Sequence, residues 1–195
     1  MPTPKEARIV SVVSLFPLPQ YVVVLEDLKK TRLVPIWIGV HEGMAISMEM
    51  QGEKFPRPLT HDLMVQLTEA LGARIDKIVI NDLRENSYFA LIHLTRDGKT
   101  FRIDARPSDS LALAVRVNCP IFIEESVLLK CPKVEKPITK EEIDRFKEEL
   151  KTMTPEEFFK GFEENPPTVD DPEIHPSDES PPEEEGEEGE EDDQI

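Results

Sequence analysis

The chain has 195 residues and a formal net charge of −17, but this charge is unevenly distributed. Residues 1–137 hold 18 Lys and Arg against 17 Asp and Glu, a net charge of +1, whereas residues 138–195 hold 5 against 23, a net charge of −18. No stretch reaches the roughly 18–20 apolar residues of a membrane span, and the N-terminus lacks the apolar segment of a secretory signal. We therefore expect a cytoplasmic protein with no membrane association.

The first third of the chain predicts three strands. Residues 7–16 and 20–26 are rich in β-branched side chains, and a polar turn connects the second run to a third at 32–38. Pro35 lies inside the third run and cannot donate a ladder hydrogen bond, which predicts an edge strand or a bulge.

Two helices are predicted next, at 41–50 and from Thr60 onward. Thr60 is a suitable N-cap, Asp62 would lie in the first turn, and Gly72 is suited to end the helix. The second helix has an apolar face, made of Leu63, Met64, Leu67 and Leu71.

Three further strands are predicted at 74–83, 87–95 and 100–105, with a short buried strand at 120–123. Asp97-Gly98 is a strong hairpin signal between the second and third of these. Arg106-Pro107 then turns the chain into an apolar helix, for which Ser108 is the expected N-cap and Asp109 a first-turn carboxylate.

The pattern as a whole indicates the α+β class: a mixed, mostly antiparallel sheet packed with helices. We predict one domain over residues 1–131, then a linker with two short helices over 132–164. The helices are signalled by capping boxes that begin at Thr139 and Thr154. Residues 165–195 are dominated by Glu, Asp and Pro and are expected to form a disordered acidic tail.

Two predicted helix starts share a charged pattern. Arg57-Pro58 precedes Thr60 and Asp62, and Arg106-Pro107 precedes Ser108 and Asp109. Pro, Ser, Thr and Asp are ordinary helix-start residues, so much of the pattern has a purely structural explanation. An arginine at this position is unfavourable beside the helix dipole, however. Each arginine therefore requires a partner, either a neighbouring carboxylate or an anionic ligand such as a phosphodiester.

Several carboxylates are candidates for a divalent metal site. Asp104, Asp109, Glu42 and Asp62 supply the oxygen ligands that Mg²⁺ and Mn²⁺ prefer, if the fold brings them together. The alternative for Asp104 is a solvated strand face. His61 is either a proton-transfer residue or, as is commoner for a single histidine, a hydrogen-bonding residue near the helix start.

Three segments together resemble the bifunctional nuclease domain family. They are 34–39 with Glu42, 57–63, and 103–109 followed by 111–114 and Arg116. The resemblance covers about residues 7–129. Gly43 and Ser110 stand where the family usually has alanine.

The resemblance implies an α+β domain that self-associates and cleaves RNA and DNA with little base preference. Together with the charged helix starts it predicts a metal-assisted nuclease, with Mg²⁺ or Mn²⁺ as cofactor and nucleic acid as partner. The expected catalytic residues are Asp104, Asp109, His61 and Asp62; the phosphate-binding residues are Arg57 and Arg106; the metal ligands are Glu42, Asp104 and Asp109. The alternative is a non-catalytic binding or assembly module, in which the same arginines and aspartates form structural ion pairs.

Overall fold

The computed structural model describes residues 3–15, 18–29, 32–131, 140–154, 156, 157 and 160. Within these residues the strands are β1 (Lys5–Ser14), β2 (Gln20–Asp27), β3 (Leu33–Gly39), β4 (Ala73–Arg84), β5 (Ser87–Arg96), β6 (Lys99–Ala105) and β7 (Ile121–Ile123). The helices are α1 (Val40–Met50), α2 (Thr60–Ala70), α3 (Pro107–Val117), α4 (Glu125–Leu128) and α5 (Lys140–Leu150).

The described strands form one sheet in the order β3-β2-β1-β7-β4-β5-β6. Strands β4 and β7 pair in parallel, and the other neighbours pair antiparallel. The predicted α+β class and mixed, mostly antiparallel sheet are therefore confirmed. Pro35 lies on the edge strand β3, where its missing N–H disrupts no second ladder.

One side of the sheet, which we call the front face, packs against α1, α2 and α3. Ile78 and Ile92 from the sheet, Ile46 from α1 and Leu111 from α3 belong to this main core. Helix α3 is almost wholly apolar where it is buried, from Leu111 to Ala114, as its sequence requires. It therefore forms a rigid support for the charged residues at its N-terminal end.

The opposite side of the sheet, the back face, is covered by α5 over part of its area. Leu150 of α5 is fully buried against Val22 and Val24 of β2 and Leu33 of β3. Register partners in an antiparallel pair project to the same side, so the back face of β4, β5 and β6 can be identified from the pairing. It carries the register row of Val79, Leu91 and Asp104.

The hairpin predictions are confirmed. Asp97 and Gly98 both have positive φ, as a two-residue type I′ turn requires. Glu85 and Asn86 adopt the same left-handed conformation in the β4–β5 turn.

Both predicted N-caps are wrong. Helix α2 has Leu59 at its N-cap, and the Leu59 N–H donates to Asp62 Oδ2 at 2.8 Å, so Thr60 is already the first helical residue. Helix α3 has Arg106 at its N-cap, with Pro107 next. Proline favours the first helical position because it lacks the N–H that would be unpaired there. Each start thus lies one or two residues earlier than Ser/Thr capping preferences indicate.

The apolar face of α2 does not pack into the core. The four residues of this face, which we call the α2 stripe, are 39–63% exposed: Leu63, Met64, Leu67 and Leu71. His61 and Val65 face inward instead. The amphipathic pattern correctly predicted a helix, but the apolar side is the one that remains open to solvent.

The first of the two predicted C-terminal helices is present as α5. Its proposed cap Thr139, the linker at 132–139 and the acidic tail at 165–195 lie outside the described residues. The second capping box is confirmed, because Glu157 N–H donates to Thr154 Oγ1 and Thr154 N–H donates to Glu157 Oε2.

Candidate active site

Arg106 bridges two carboxylates where the N-terminal ends of α1 and α3 meet. Its Nη2 lies 3.0 Å from Glu42 Oε1, and its Nε donates to Asp109 Oδ2 at 2.7 Å. These contacts offset the unfavourable position of a cation at a helix N-terminus. The predicted carboxylate partner of Arg106 is therefore present, and it is two carboxylates rather than one. The Arg106 side chain is still 66% exposed, so it remains accessible to an anion from solvent.

Asp109 is contacted by two side chains of this corner. Besides Arg106 it contacts His61, whose Nε2 lies 3.2 Å from Asp109 Oδ1. Burial raises the pKa of Asp109, but hydrogen bonds from Arg106 and His61 and the positive charge of Arg106 outweigh this, so its pKa lies below the ordinary value. Asp109 is thus ionised at neutral pH. Because an ionised carboxylate only accepts, His61 donates its Nε2–H to it.

His61 is enclosed, with its side chain 9% exposed. It approaches from α2 and contacts Asp109 Oδ1, the oxygen that also accepts from Arg106 Nη2. We call Glu42, His61, Arg106 and Asp109 the charged corner. Its members come from three helix starts separated by about 20 to 70 positions in the sequence.

Asp62 faces a different partner from its neighbour His61. Arg116 Nε donates to Asp62 Oδ1 at 2.6 Å, and Arg116 Nη1 donates to the carbonyls of Ala112 and Ala45. The pKa of Asp62 is lowered: burial raises it, but hydrogen bonds from the Leu59 N–H and Arg116 dominate. Arg116 thereby links α1, α2 and α3 behind the charged corner. The sequence analysis gave it no role, because nothing local indicates that a charge near the end of α3 reaches the start of α2.

Arg57 and Asp104 do not join the charged corner. Arg57 is exposed and forms no ion pair with any described residue; it lines a cavity of about 380 Å³ together with Phe55, Asp62 and Arg116. Asp104 is exposed on the back face of β6, paired in register with Leu91. The adjacent residues Ile103 and Ala105 point to the front face, so strand alternation turns Asp104 away from the helices.

A larger cavity, of about 520 Å³, lies beside Arg106. Its lining includes Trp37 and Gly39 of β3, Tyr88 of β5 and Ser108 of α3. The sequence analysis missed Tyr88 as a site residue. Tyr88 lines the same cavity as residues of β3, about 50 positions earlier in the sequence, a relation that no local pattern encodes.

The chemistry of the corner suits a hard cation, but only two carboxylates are in place. Glu42 and Asp109 are oxygen donors and are 19% and 25% exposed. Among the described residues, no group of three or more His, Cys, Asp or Glu lies close enough to hold one metal ion. Mg²⁺ is commonly bound by one or two carboxylates together with water and substrate phosphates, so this donor set is chemically adequate.

The fold and the corner define an α+β domain with an acid–arginine–histidine cluster at converging helix starts. Comparison with known families identifies it further: the chain belongs to the bifunctional nuclease domain family, whose model matches residues 23–136. Within the described residues, every helix is too short or too polar to cross a membrane.

The chain is similar to proteins of two kinds. An uncharacterized protein of Mycobacterium tuberculosis (strain H37Rv) is 37% identical over 162 residues, which cover 78% of this chain and 97% of that relative. Bifunctional nuclease 2 of Oryza sativa subsp. japonica is 26% identical over 114 residues, 57% of this chain and 35% of the relative. Bifunctional nuclease 1 of the same plant is 22% identical over 98 residues, 49% of this chain and 30% of the relative. The chain thus spans about a third of the rice proteins.

Proposed function

We propose that this protein is a nuclease that hydrolyses phosphodiester bonds in RNA and DNA. Family membership and the names of the rice relatives favour this chemistry. The observation that carries it is the charged corner, in which an exposed guanidinium is fixed between two ionisable carboxylates. An arginine held in this way can bind a phosphate in a defined orientation, because its own rotamer freedom is already restricted.

Each of these residues of the charged corner has a separate role in the proposed reaction. Arg106 binds a non-bridging phosphate oxygen with its solvent-exposed edge. Asp109, ionised at neutral pH, accepts a proton from the attacking water as the new P–O bond forms. The old P–O bond breaks, and the leaving oxygen takes a proton from solvent water. His61 positions Asp109 from its enclosed location, so it is a positioning residue.

A divalent cation would be held by Glu42 and Asp109, with Mg²⁺ or Mn²⁺ as the expected ion. Such an ion supplies charge stabilisation to the transferring phosphoryl group. The need for it follows from the local charge, because Glu42 and Asp109 outweigh Arg106 and would otherwise repel a polyanion.

The test is cleavage of labelled single-stranded RNA and DNA by the purified full chain, in Mg²⁺, in Mn²⁺ and in EDTA. We expect cleavage of both substrates with either metal and its loss in EDTA. The activity should co-elute with the protein during size-exclusion chromatography, which separates it from a contaminating nuclease. Absence of cleavage in all three buffers contradicts the nuclease, and equal cleavage in EDTA contradicts the metal requirement alone.

A non-catalytic binding or assembly module is the second candidate. It is favoured by the fact that Arg106 and Arg116 already have carboxylate partners, as structural ion pairs do. The near-neutral charge of residues 1–137 also favours it, because nucleic-acid-binding domains usually carry a basic excess. The two candidate functions predict different effects of an Asp109 substitution on the cleavage rate.

Self-association is part of the proposal and rests on exposed apolar surface. The α2 stripe is open to solvent, and the edge strand β6 exposes Phe101 and Ile103 on the front face, each 46% exposed. Exposed apolar surface of this kind is typical of protein interfaces, and an unpaired strand edge adds hydrogen-bonding groups. A second copy of the chain would bury both.

Sedimentation velocity tests this point. We expect the wild-type chain to sediment as an oligomer and the variant Leu67→Lys to shift toward monomer, because a charge in the α2 stripe cannot be buried cheaply. Leu28→Lys is the matched control, since Leu28 is 53% exposed in the turn after β2, far from α2 in the sequence. A monomeric wild-type chain contradicts the proposal.

A further inference from the structure

The back face carries a row of cationic side chains that the proposed reaction does not use. Lys77 of β4 pairs in register with His93 of β5, and His93 pairs with Arg102 of β6. Directly opposed side chains on neighbouring strands lie about 5 Å apart and project to the same side. We call these three residues the basic row. It crosses three strands, and Arg102 at its outer end is exposed on the edge strand.

The basic row lacks anionic partners of its own. Within the part of the chain that the structure describes, neither Lys77 nor Arg102 forms an ion pair. The neighbouring arginines do: Arg74 pairs with Asp76, and Arg84 pairs with Asp82. Lys77 and Arg102 are each opposed to His93, whose pKa is lowered, so the two cations lie on either side of an imidazole that is neutral at neutral pH.

The surroundings of His93 contain more positive than negative charge. Its pKa is lowered, first by partial burial and then by the charges of Lys77 and Arg102, while Asp76 opposes the shift. Lys77 is held in place, with its Nζ 5.3 Å from the centroid of the Phe122 ring on β7. Lys77 and Arg102 thus lie on the strands on either side of His93, and an anion bound over the imidazole would be attracted by both charges.

The charged corner cannot supply the affinity that a polyanionic substrate needs. Glu42 and Asp109 outweigh Arg106 there, and residues 1–137 as a whole carry only +1. Backbone phosphates account for most of the non-specific affinity of nucleic-acid-binding proteins. A nuclease with little base preference therefore needs a separate basic surface, and the basic row is such a surface.

Aromatic rings on the same face favour nucleic acid over other polyanions. Phe89 is 36% exposed beneath the guanidinium of Arg84, and Phe122 lies beneath Lys77. Bases of single-stranded nucleic acid stack on exposed aromatic side chains while cations contact the backbone. Asp104, on the same face two residues after Arg102, bounds the basic row on one side.

We propose that Lys77, His93 and Arg102 form a phosphate-binding site that holds single-stranded nucleic acid on the back face of the sheet, apart from the charged corner. The biological role of this site depends on the proposed nuclease function. Binding itself can be measured without cleavage, so the two proposals fail separately.

The experiment is a fluorescence-anisotropy titration of a labelled single-stranded oligonucleotide with the full chain at 50, 100 and 200 mM salt, with oligonucleotide integrity checked on gels. Lys77→Ser and Arg102→Ser should each weaken binding at 50 mM salt. Each should also make the slope of log affinity against log salt shallower by about 0.7, the value for one lost phosphate contact on a single strand. Arg74→Ser and Arg96→Ser are matched controls, because both arginines are exposed and already have a carboxylate partner.

A pH series supplies a readout that a structural role would not change. A bound phosphate favours protonated His93, so wild-type affinity should rise between pH 7.5 and pH 5.5. The charged groups facing His93 are Lys77, Arg102 and Asp76, and because the pKa of Asp76 is lowered, its carboxylate stays ionised over this range. His93→Gln should remove the rise.

Unchanged affinity and slope in Lys77→Ser and Arg102→Ser overturn the site, as does an equal loss in the two control variants. Binding that depends on the basic row in a protein that cleaves nothing supports the site and contradicts the nuclease. Cleavage by the full chain, together with binding that is unchanged in Lys77→Ser and Arg102→Ser, supports the nuclease and contradicts the site. Thermal unfolding of each variant separates loss of binding from loss of fold.

Discussion

Asp109→Asn should lower the rate of phosphodiester cleavage by about 100-fold or more, the usual contribution of a positioned general base. Asparagine has nearly the same shape and keeps an oxygen that can accept from Arg106 and His61. It lacks the negative charge, so it can neither take the proton of the attacking water nor balance Arg106. The measurement is single-turnover cleavage of labelled RNA, with circular dichroism to verify the fold.

The control for this variant is a carboxylate in the same local arrangement but outside the charged corner. Asp144 pairs with Lys147 three residues later on α5, as Asp109 pairs with Arg106 three residues earlier on α3. Asp144→Asn should leave the cleavage rate at the wild-type value. Wild-type cleavage by Asp109→Asn would make the charged corner structural and favour the binding module.

Asp104→Asn addresses the sequence-based prediction that Asp104 and Asp109 act together. Because Asp104 projects to the back face, we expect this variant to retain cleavage in the same assay. A loss equal to that of Asp109→Asn would mean that nucleic acid reacts on the back face, and the charged corner would then be the supporting element.

The fold was largely predictable because its signals are local. Asp97-Gly98 determines a hairpin wherever it occurs between strands, and the apolar run after Asp109 requires a buried helix. Pro35 indicated the edge strand because a missing N–H is a property of one residue. In each case the residues that carry the signal lie within a few positions of the element that they predict.

The candidate site was predictable only in part, because convergence is not local. The sequence indicated that Arg106 needs a carboxylate, but Asp109 follows it directly whereas Glu42 arrives from α1. The alternation of β6 predicted a polar side for Asp104, yet only the packing of α1, α2 and α3 decides which side of the sheet they cover. The exposure of the α2 stripe could not be predicted for the same reason, since a helical pattern identifies an apolar side without stating what covers it.

Gly43→Ala should destabilise the protein by about 1–3 kcal/mol, the usual cost of overpacking a filled core. In an ordinary helix interior this change would stabilise by up to about 1 kcal/mol, because alanine is the better helix former. Here an added Cβ would lie closer than 3.0 Å to Cβ, Cγ and Cδ1 of Tyr21. The Tyr21 Cβ is fixed by the β2 backbone, so relief requires moving α1 away from the sheet.

Gly39→Ala provides the comparison, because its added Cβ would meet the carboxylate end of Glu42 rather than a fixed ring. That end can rotate away, so we expect little change in the free energy of unfolding. Urea unfolding of both variants measures the difference. Tyr21→Ala should remove most of the penalty of Gly43→Ala in the double variant, since the clash is pairwise. A Gly43→Ala protein with the wild-type free energy of unfolding would contradict the close approach of α1 to β2.

The Gly43 and Tyr21 variants also distinguish an effect on packing from an effect on cleavage at the N-terminal end of α1. Close approach of α1 brings Glu42 to Arg106, which makes the glycine a determinant of the charged corner. Gly43→Ala should therefore reduce cleavage as well as stability, and the Tyr21→Ala background should restore stability more fully than activity.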